Sequence, residues 1–142
     1  MISVAHPTRQ IASLLEYFVA DRFRGPDQLG NVLLQRTCKI LRSALENVVR
    51  NAVKYTADGS AVGVSLRNDE HHKGWIVVTV RDHGPGVPHD MLDRLFEPFV
   101  RVGEARDRAS YGLGLVIANR AIRPHGGDIS AGNHAEGGLM VS

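Results

Sequence analysis

Two groups of polar residues stand out by type and spacing. The first is Asp82-His83-Gly84-Pro85-Gly86, which follows the apolar run Trp75–Val80 and precedes Val87-Pro88. A strand that ends on an aspartate and opens into a glycine- and proline-rich loop presents a carboxylate beside accessible backbone, and glycine permits positive φ and close approach of a ligand. Such a carboxylate accepts a hydrogen bond from an exocyclic amine such as that of adenine. By itself the pentapeptide reads more often as a plain strand-ending turn. The second group is Asn47, Asn51, Lys54 and Tyr55, whose spacing places them on one edge of a helix. Two carboxamides can hold a hydrated cation and a phosphate oxygen. Mg²⁺ keeps several waters and takes few protein ligands, so one Asn oxygen suffices in its shell. Lys54 supplies a point charge for phosphate and Tyr55 a flat wall for a base. The plainer alternative is the solvated edge of an amphipathic helix.

Tyr111-Gly112-Leu113-Gly114-Leu115 opens a further helical pattern. Glycines at a helix start leave backbone N–H groups free at the positive end of the dipole, a setting that favours phosphate. Ile117 stands where a dinucleotide fingerprint has its third glycine, and no G-x-x-x-x-G-K-[ST] run occurs, so a Rossmann turn and a P-loop are both excluded. Between the two glycine motifs lie Phe96-Glu97-Pro98-Phe99 and a charged stretch with Arg101, Arg106 and Arg108. The aromatics are suited to rooting a lid in the core, and the arginines to reaching a polyphosphate. His71-His72 lacks partners at metal-ligand spacing, and no H-E-x-x-H is present.

These residues need elements to hold them. Thr8 caps an expected helix ended by Gly25-Pro26. Residues 26–37 are poorly patterned, with a short strand expected at Val32-Leu33-Leu34. A helix is expected from Lys39 to Tyr55 with Leu41, Leu45, Val48, Val49 and Ala52 as its apolar stripe. Alternation at Val62, Val64 and Leu66 predicts a strand, joined through a polar hairpin to a second over 75–81. Residues 88–95 read as a short helix, 97–111 as a mobile loop and 112–121 as a long helix. Two strands around a His/Gly turn complete the chain.

With 142 residues, 43% of them hydrophobic, the chain suits one domain with a single core. A net charge of +2 without a dense Lys/Arg run does not argue for a nucleic-acid partner. The single Cys38 rules out an internal disulfide framework and fits a reducing compartment. No signal peptide and no bilayer-spanning apolar run is read in the sequence, so no direct membrane contact is expected.

Taken in order, Asn47-x-x-x-Asn51, Asp82-x-Gly84-x-Gly86, Phe96-x-x-Phe99, Gly112-x-Gly114 and Gly137-Gly138 resemble the N, G1, F, G2 and G3 boxes of sensor histidine kinases. These belong to the ATPase superfamily shared with gyrase, the ninety-kilodalton heat-shock chaperones and the MutL proteins. The wording of 43–52 and 104–108 is similar to the proteobacterial envelope-stress sensor kinase branch. The resemblance covers about residues 38–142, leaving 1–37 as an atypical or abbreviated lead-in to a single ATP-binding domain. It implies a two-layer α/β sandwich, a mixed sheet packed by about three helices, with ATP and Mg²⁺ as cofactors.

Carried over by position, Asn51 ligates Mg²⁺, Asn47 contacts the phosphate and metal region, Lys54 meets phosphate and Tyr55 packs near the base. Asp82 accepts from the adenine amine, Gly84 and Gly86 shape its pocket, and Gly112, Leu113 and Gly114 form the lid hinge and phosphate cradle, with Phe96, Phe99 and Arg106 contributing from the lid. Hydrolytic relatives carry a water-activating Glu where Asn47 stands here, so phosphotransfer with slow ATP hydrolysis is expected. The implied partners are a dimerisation domain bearing the phosphoacceptor His and, indirectly, a response regulator. The implied setting is the cytoplasmic side of a parent anchored in the inner membrane. His6 lacks the surroundings of a phosphoacceptor, so autophosphorylation by this chain alone is not expected. Ser110 replaces a hinge glycine, and the sequence stops a few residues into the last strand, which predicts an unfilled sheet edge. Two alternatives are a stand-alone anti-sigma-type protein-serine kinase and a protein-binding module of the same fold that takes no nucleotide.

Overall fold

A computed structural model describes residues 2–3, 28–100 and 112–142. Helix α1 (Gln28–Tyr55) is the longest element. Ala44, Val48, Val49 and Ala52 recur at helical spacing and are buried, which fixes the face it turns to the sheet. Strands β2 (Gly63–Asn68) and β3 (Ile76–Arg81) follow as an antiparallel hairpin. Asp69 shapes their connection by accepting the His71 and His72 amides at 2.8 Å each. Two 3-10 turns, His89–Met91 and Asp93–Phe96, lead away from the loop after β3. Helix α2 (Gly114–Ile122) buries Leu115, Val116 and Ala118, then tightens into a 3-10 turn at Arg123–His125. Strands β4 (Ala131–Asn133) and β5 (Leu139–Val141) form the final hairpin.

Together with β1 (Ile2–Ser3) these strands build a five-stranded sheet in the order β1-β2-β3-β5-β4. One row of the register crosses all five strands: Ile2 faces Val64, Val64 faces Val80, Val80 faces Val141 and Val141 faces Ala131. Val64, Val80 and Val141 of that row are buried and join the α1 residues, Leu115 and Ala118 in one core. The architecture is a two-layer sandwich of helices on one face of a sheet.

Four expectations are corrected. The sheet is not mixed, because each of its described strand pairs is antiparallel. Residues 28–38 are helical, so the strand anticipated at Val32-Leu33-Leu34 is the early part of α1. A three-residue apolar run cannot separate the two periods, and helix propagation from the packed segment decides it. The short helix expected over 88–95 is two 3-10 turns. The last strand does not leave an edge open: β5 lies between β3 and β4 and pairs with both. The helix expected after Thr8 and the charged loop with Arg101, Arg106, Arg108 and Ser110 lie outside the described residues.

Candidate functional site

The aspartate at the end of β3 is the buried acid of the described residues, with 3% of its surface exposed. Its backbone N–H donates to the Leu139 carbonyl at 3.0 Å. Its Oδ1 accepts from the Gly84 amide at 2.9 Å and from the Leu139 amide at 3.0 Å. These bonds stabilise the buried carboxylate. They also leave Oδ2 without a hydrogen-bond partner among the described residues. One oxygen is structural and the other is available as an acceptor.

Glycine is required at two positions around this carboxylate. A Cβ on Gly84 would overlap the carbonyl oxygen of Tyr55, so the loop lies directly against the C-terminal end of α1. A Cβ on Gly138, whose φ is +88°, would overlap the Asp82 carbonyl. Gly138 thus lets β5 approach the end of β3 closely enough for Leu139 to bond Asp82.

The loop is fastened on both sides. The His83 amide donates to Thr56 Oγ1 at 3.1 Å, and His83 Nδ1 donates to the Ala61 carbonyl at 2.8 Å. Thr56 Oγ1 lies 2.8 Å from Ser60 Oγ, which donates to the Ala57 carbonyl at 2.6 Å, so the Thr56 hydroxyl donates onward to Ser60. On the other side Asn133 binds Val87 through both ends of its carboxamide: Oδ1 accepts from the Val87 amide at 2.9 Å and Nδ2 donates to its carbonyl at 2.6 Å. The sequence reading did not single out Thr56 or Asn133. Asn133 and Val87 are 46 residues apart, and nothing local marks the pair.

Asn47 and Asn51 are half-buried on α1, and neither carboxamide has a hydrogen-bond partner among the described residues. Unpartnered neutral oxygen donors at a helix edge suit a hard cation and phosphate oxygens. Lys54 and Tyr55 are exposed further along that edge, with Lys54 Nζ 5.5 Å from the Tyr55 ring centroid. A Cβ on Gly114 would lie 3.7 Å from the Asn47 carbonyl, so the start of α2 meets α1 at Asn47. Asn47 and Tyr55 are eight residues apart, a rise of about 12 Å. The α1 edge therefore spans from the glycine-opened start of α2 to the Asp82 loop. Gly112 has a positive φ of 65° and Leu113 caps α2. The first-turn amides of that helix lack intrahelical partners by geometry, and the helix begins at Gly114 rather than Gly112.

The two aromatics separate. Phe96 is half-buried and packs against the core, whereas Phe99 is 74% exposed with φ at +66°. One of the pair roots the segment, and the other does not enter the core. Glu46, beside Asn47, is engaged by Arg42 at 3.0 Å. Arg106 lies outside the described residues.

Residues 38–142 match the family of histidine kinase-, DNA gyrase B- and HSP90-like ATPases, and the chain belongs to that family. Over 103 residues it is 45% identical to the sensor histidine kinase CpxA of Escherichia coli, a match that covers 71% of this chain and 21% of that protein. Among solved structures it is similar to the mycobacterial sensor histidine kinase MprB, with a TM-score of 0.69 and 25% identity over 93% of this chain and 90% of that one. The ATP-binding domain of PrrB from Mycobacterium tuberculosis is similar at a TM-score of 0.53 and 28% identity, covering 73% of this chain and 64% of that one. The chain thus spans about a fifth of the length of the curated relative it matches.

Proposed function

We propose that this chain binds Mg-ATP as the catalytic domain of a two-component sensor histidine kinase. It would donate the γ-phosphoryl group to a His on a separate dimerisation domain, from which a response regulator is served. The observation that carries the reading is the division of labour at Asp82, with Oδ1 tied to Gly84 and Leu139 and Oδ2 left as a free acceptor. A carboxylate oxygen held in a buried setting recognises a donor such as the exocyclic amine of adenine. Gly84 and Gly86 shape the loop around it, and Tyr55 supplies an aromatic wall at the end of α1. At the other end of that edge, Asn51 is the residue to ligate Mg²⁺, and Asn47 and Lys54 are placed for phosphate. Bound Mg²⁺ would neutralise charge on the transferring phosphoryl group. The chain's own part is positioning: the α1 edge sets the distance from base to phosphate, and the start of α2 offers free amides. Phe96, Phe99 and Arg106 are assigned to the lid region.

Among the described residues no helix is long and apolar enough to cross a membrane. The cytoplasmic setting, with an inner-membrane anchor elsewhere in the parent protein, rests on the likeness to sensor kinases. Isothermal titration of an ATP analogue with Mg²⁺ into the wild type and Asp82→Asn tests the proposal. Micromolar-range binding, weakened by about tenfold or more in the variant, is expected from loss of a charge-assisted hydrogen bond. A folded wild type that gives no heat would overturn nucleotide binding and favour a protein-binding module of the same fold.

A further inference from the structure

We infer that Asn133, on β4, is a positioning residue for base recognition by Asp82. The inference rests on the nucleotide-binding reading and adds a determinant of its specificity. Asn133 and Leu139 face each other as one rung of the β4–β5 hairpin. That rung holds both ends of the loop from Asp82 to Val87. At the first end, the Leu139 backbone bonds both the main chain and the side chain of Asp82, accepting its N–H and donating to its Oδ1, both at 3.0 Å. At the second end, the Asn133 carboxamide takes the Val87 amide at 2.9 Å and the Val87 carbonyl at 2.6 Å. Between them Gly86 turns with φ at +74°, and a Cβ there would come within 2.8 Å of Asn133 Oδ1. The carboxamide therefore lies directly against the turn as well as against its exit.

The chemistry of the clamp is specific. Val87 offers one donor and one acceptor, and a side chain must present the complementary pair at one reach. Aspartate would set an acceptor against the Val87 carbonyl, and serine, one bond shorter, would fall short of both groups. The Val87 side chain packs against the core, so the clamp sets where the loop leaves the sheet. With both ends held by one rung, the direction of Asp82 Oδ2 depends on the rung as a whole. Releasing the Val87 end leaves the loop held at Asp82 and, through His83, at Thr56 and Ala61. It can then tilt about that end, and displacements of about 1 Å at a recognition atom are costly.

Base discrimination separates positioning from a merely structural brace. Titration of the full chain with ATP and with inosine triphosphate, each with Mg²⁺, reads the contribution of the exocyclic amine, which inosine lacks. A site built to hydrogen-bond a group rejects analogues without it, so the wild type is expected to prefer ATP by about tenfold or more. Asn133→Ala is expected to lower that ratio by about fivefold or more, mainly by weakening ATP. Val64→Ala, a core truncation on β2 away from the loop, controls for lost stability and is expected to keep the ratio. Asn133→Asp, which keeps an acceptor for the Val87 amide at the same reach but sets an oxygen against the Val87 carbonyl, serves the same comparison if the alanine variant does not fold. An Asn133 variant that keeps the wild-type ratio overturns the inference whatever its melting temperature. A wild type that binds ATP without preferring it to inosine triphosphate overturns it too. A wild type that binds neither nucleotide overturns the underlying reading and this inference with it.

Discussion

Oδ1 of Asp82 accepts two backbone amides and Oδ2 accepts none from the described residues, so substitutions there separate folding from recognition. In Asp82→Asn the remaining carbonyl oxygen can keep the Gly84 and Leu139 amides, and the NH₂ group then faces the pocket as a donor. Recognition of an amine is lost while most of the stability stays. Asp82→Ala strands the buried Leu139 amide, at about 1–3 kcal/mol, and leaves the part-buried Gly84 amide to water at a smaller loss. Urea unfolding is expected to rank the wild type and Asp82→Asn close together and Asp82→Ala well below. Equal stability in all three would mean that water replaces the carboxylate. The aspartate and its glycines were legible in the sequence because a strand-ending Asp with two glycines is a local pattern. The split between its two oxygens was not, because the Leu139 amide lies 57 residues away.

At the scale of elements, α1 is held by burial along one stripe and left free along another. Val49 is 1% exposed and Val53 is 50% exposed. Val49→Ala removes two buried carbons and leaves a cavity, a loss of roughly 2 kcal/mol. Val53→Ala is expected to change stability by under about 0.5 kcal/mol. Thermal unfolding of the two variants checks the assignment of faces, and similar losses would contradict it.

The β2–β3 connection is an element with its own pH response. The Asp69 carboxyl titrates below its usual range because the His71 amide, then the His72 amide, hydrogen-bonds its charged form, and the His72 side chain adds to this. A carboxyl with a depressed folded-state value contributes fully above its unfolded pKa, and the contribution is lost as pH falls through the folded value. The Asp69 contribution to the loop is therefore expected to be constant down to about pH 5 and to be lost below the ordinary aspartate range near pH 4. Amide chemical shifts of His71 and His72 followed by NMR test this, and Asp69→Asn should abolish their acid titration. A titration that persists in the variant would assign it elsewhere. The hairpin was legible from alternation in its first strand, the apolar run of its second and the polar connection between them, whereas α1 was read eleven residues too short at its start. Its first turns carry no strong periodic signal, and cooperativity with the packed turns extends the helix.

At the scale of the whole molecule, the described residues form one sheet with helices on one face, and the proposed chemistry places the phosphate acceptor on another domain. The chain alone is expected to incorporate no label from γ-labelled ATP, and to pass label to an added dimerisation domain bearing a phosphoacceptor His. Intrinsic hydrolysis is expected to be slow, since an amide occupies position 47 and the neighbouring Glu46 is engaged by Arg42. Label retained on the isolated chain, or fast release of inorganic phosphate, would contradict this.

The amino-acid sequence by itself determined the buried face of α1, the β2–β3 hairpin and the order of the polar and glycine motifs, because each is written in periods of two to four residues or in a turn of a few. Tertiary structure alone decided that β5 is interior, that the sheet is antiparallel in its described pairs, and that the Asn133–Leu139 rung holds both ends of the Asp82 loop. Those features depend on pairings between residues far apart in the chain, such as Val80 with Val141, and on loop hydrogen bonds between residues 46 and 57 positions apart. Their partners are selected by which strands the common core brings together, and no local pattern carries that choice.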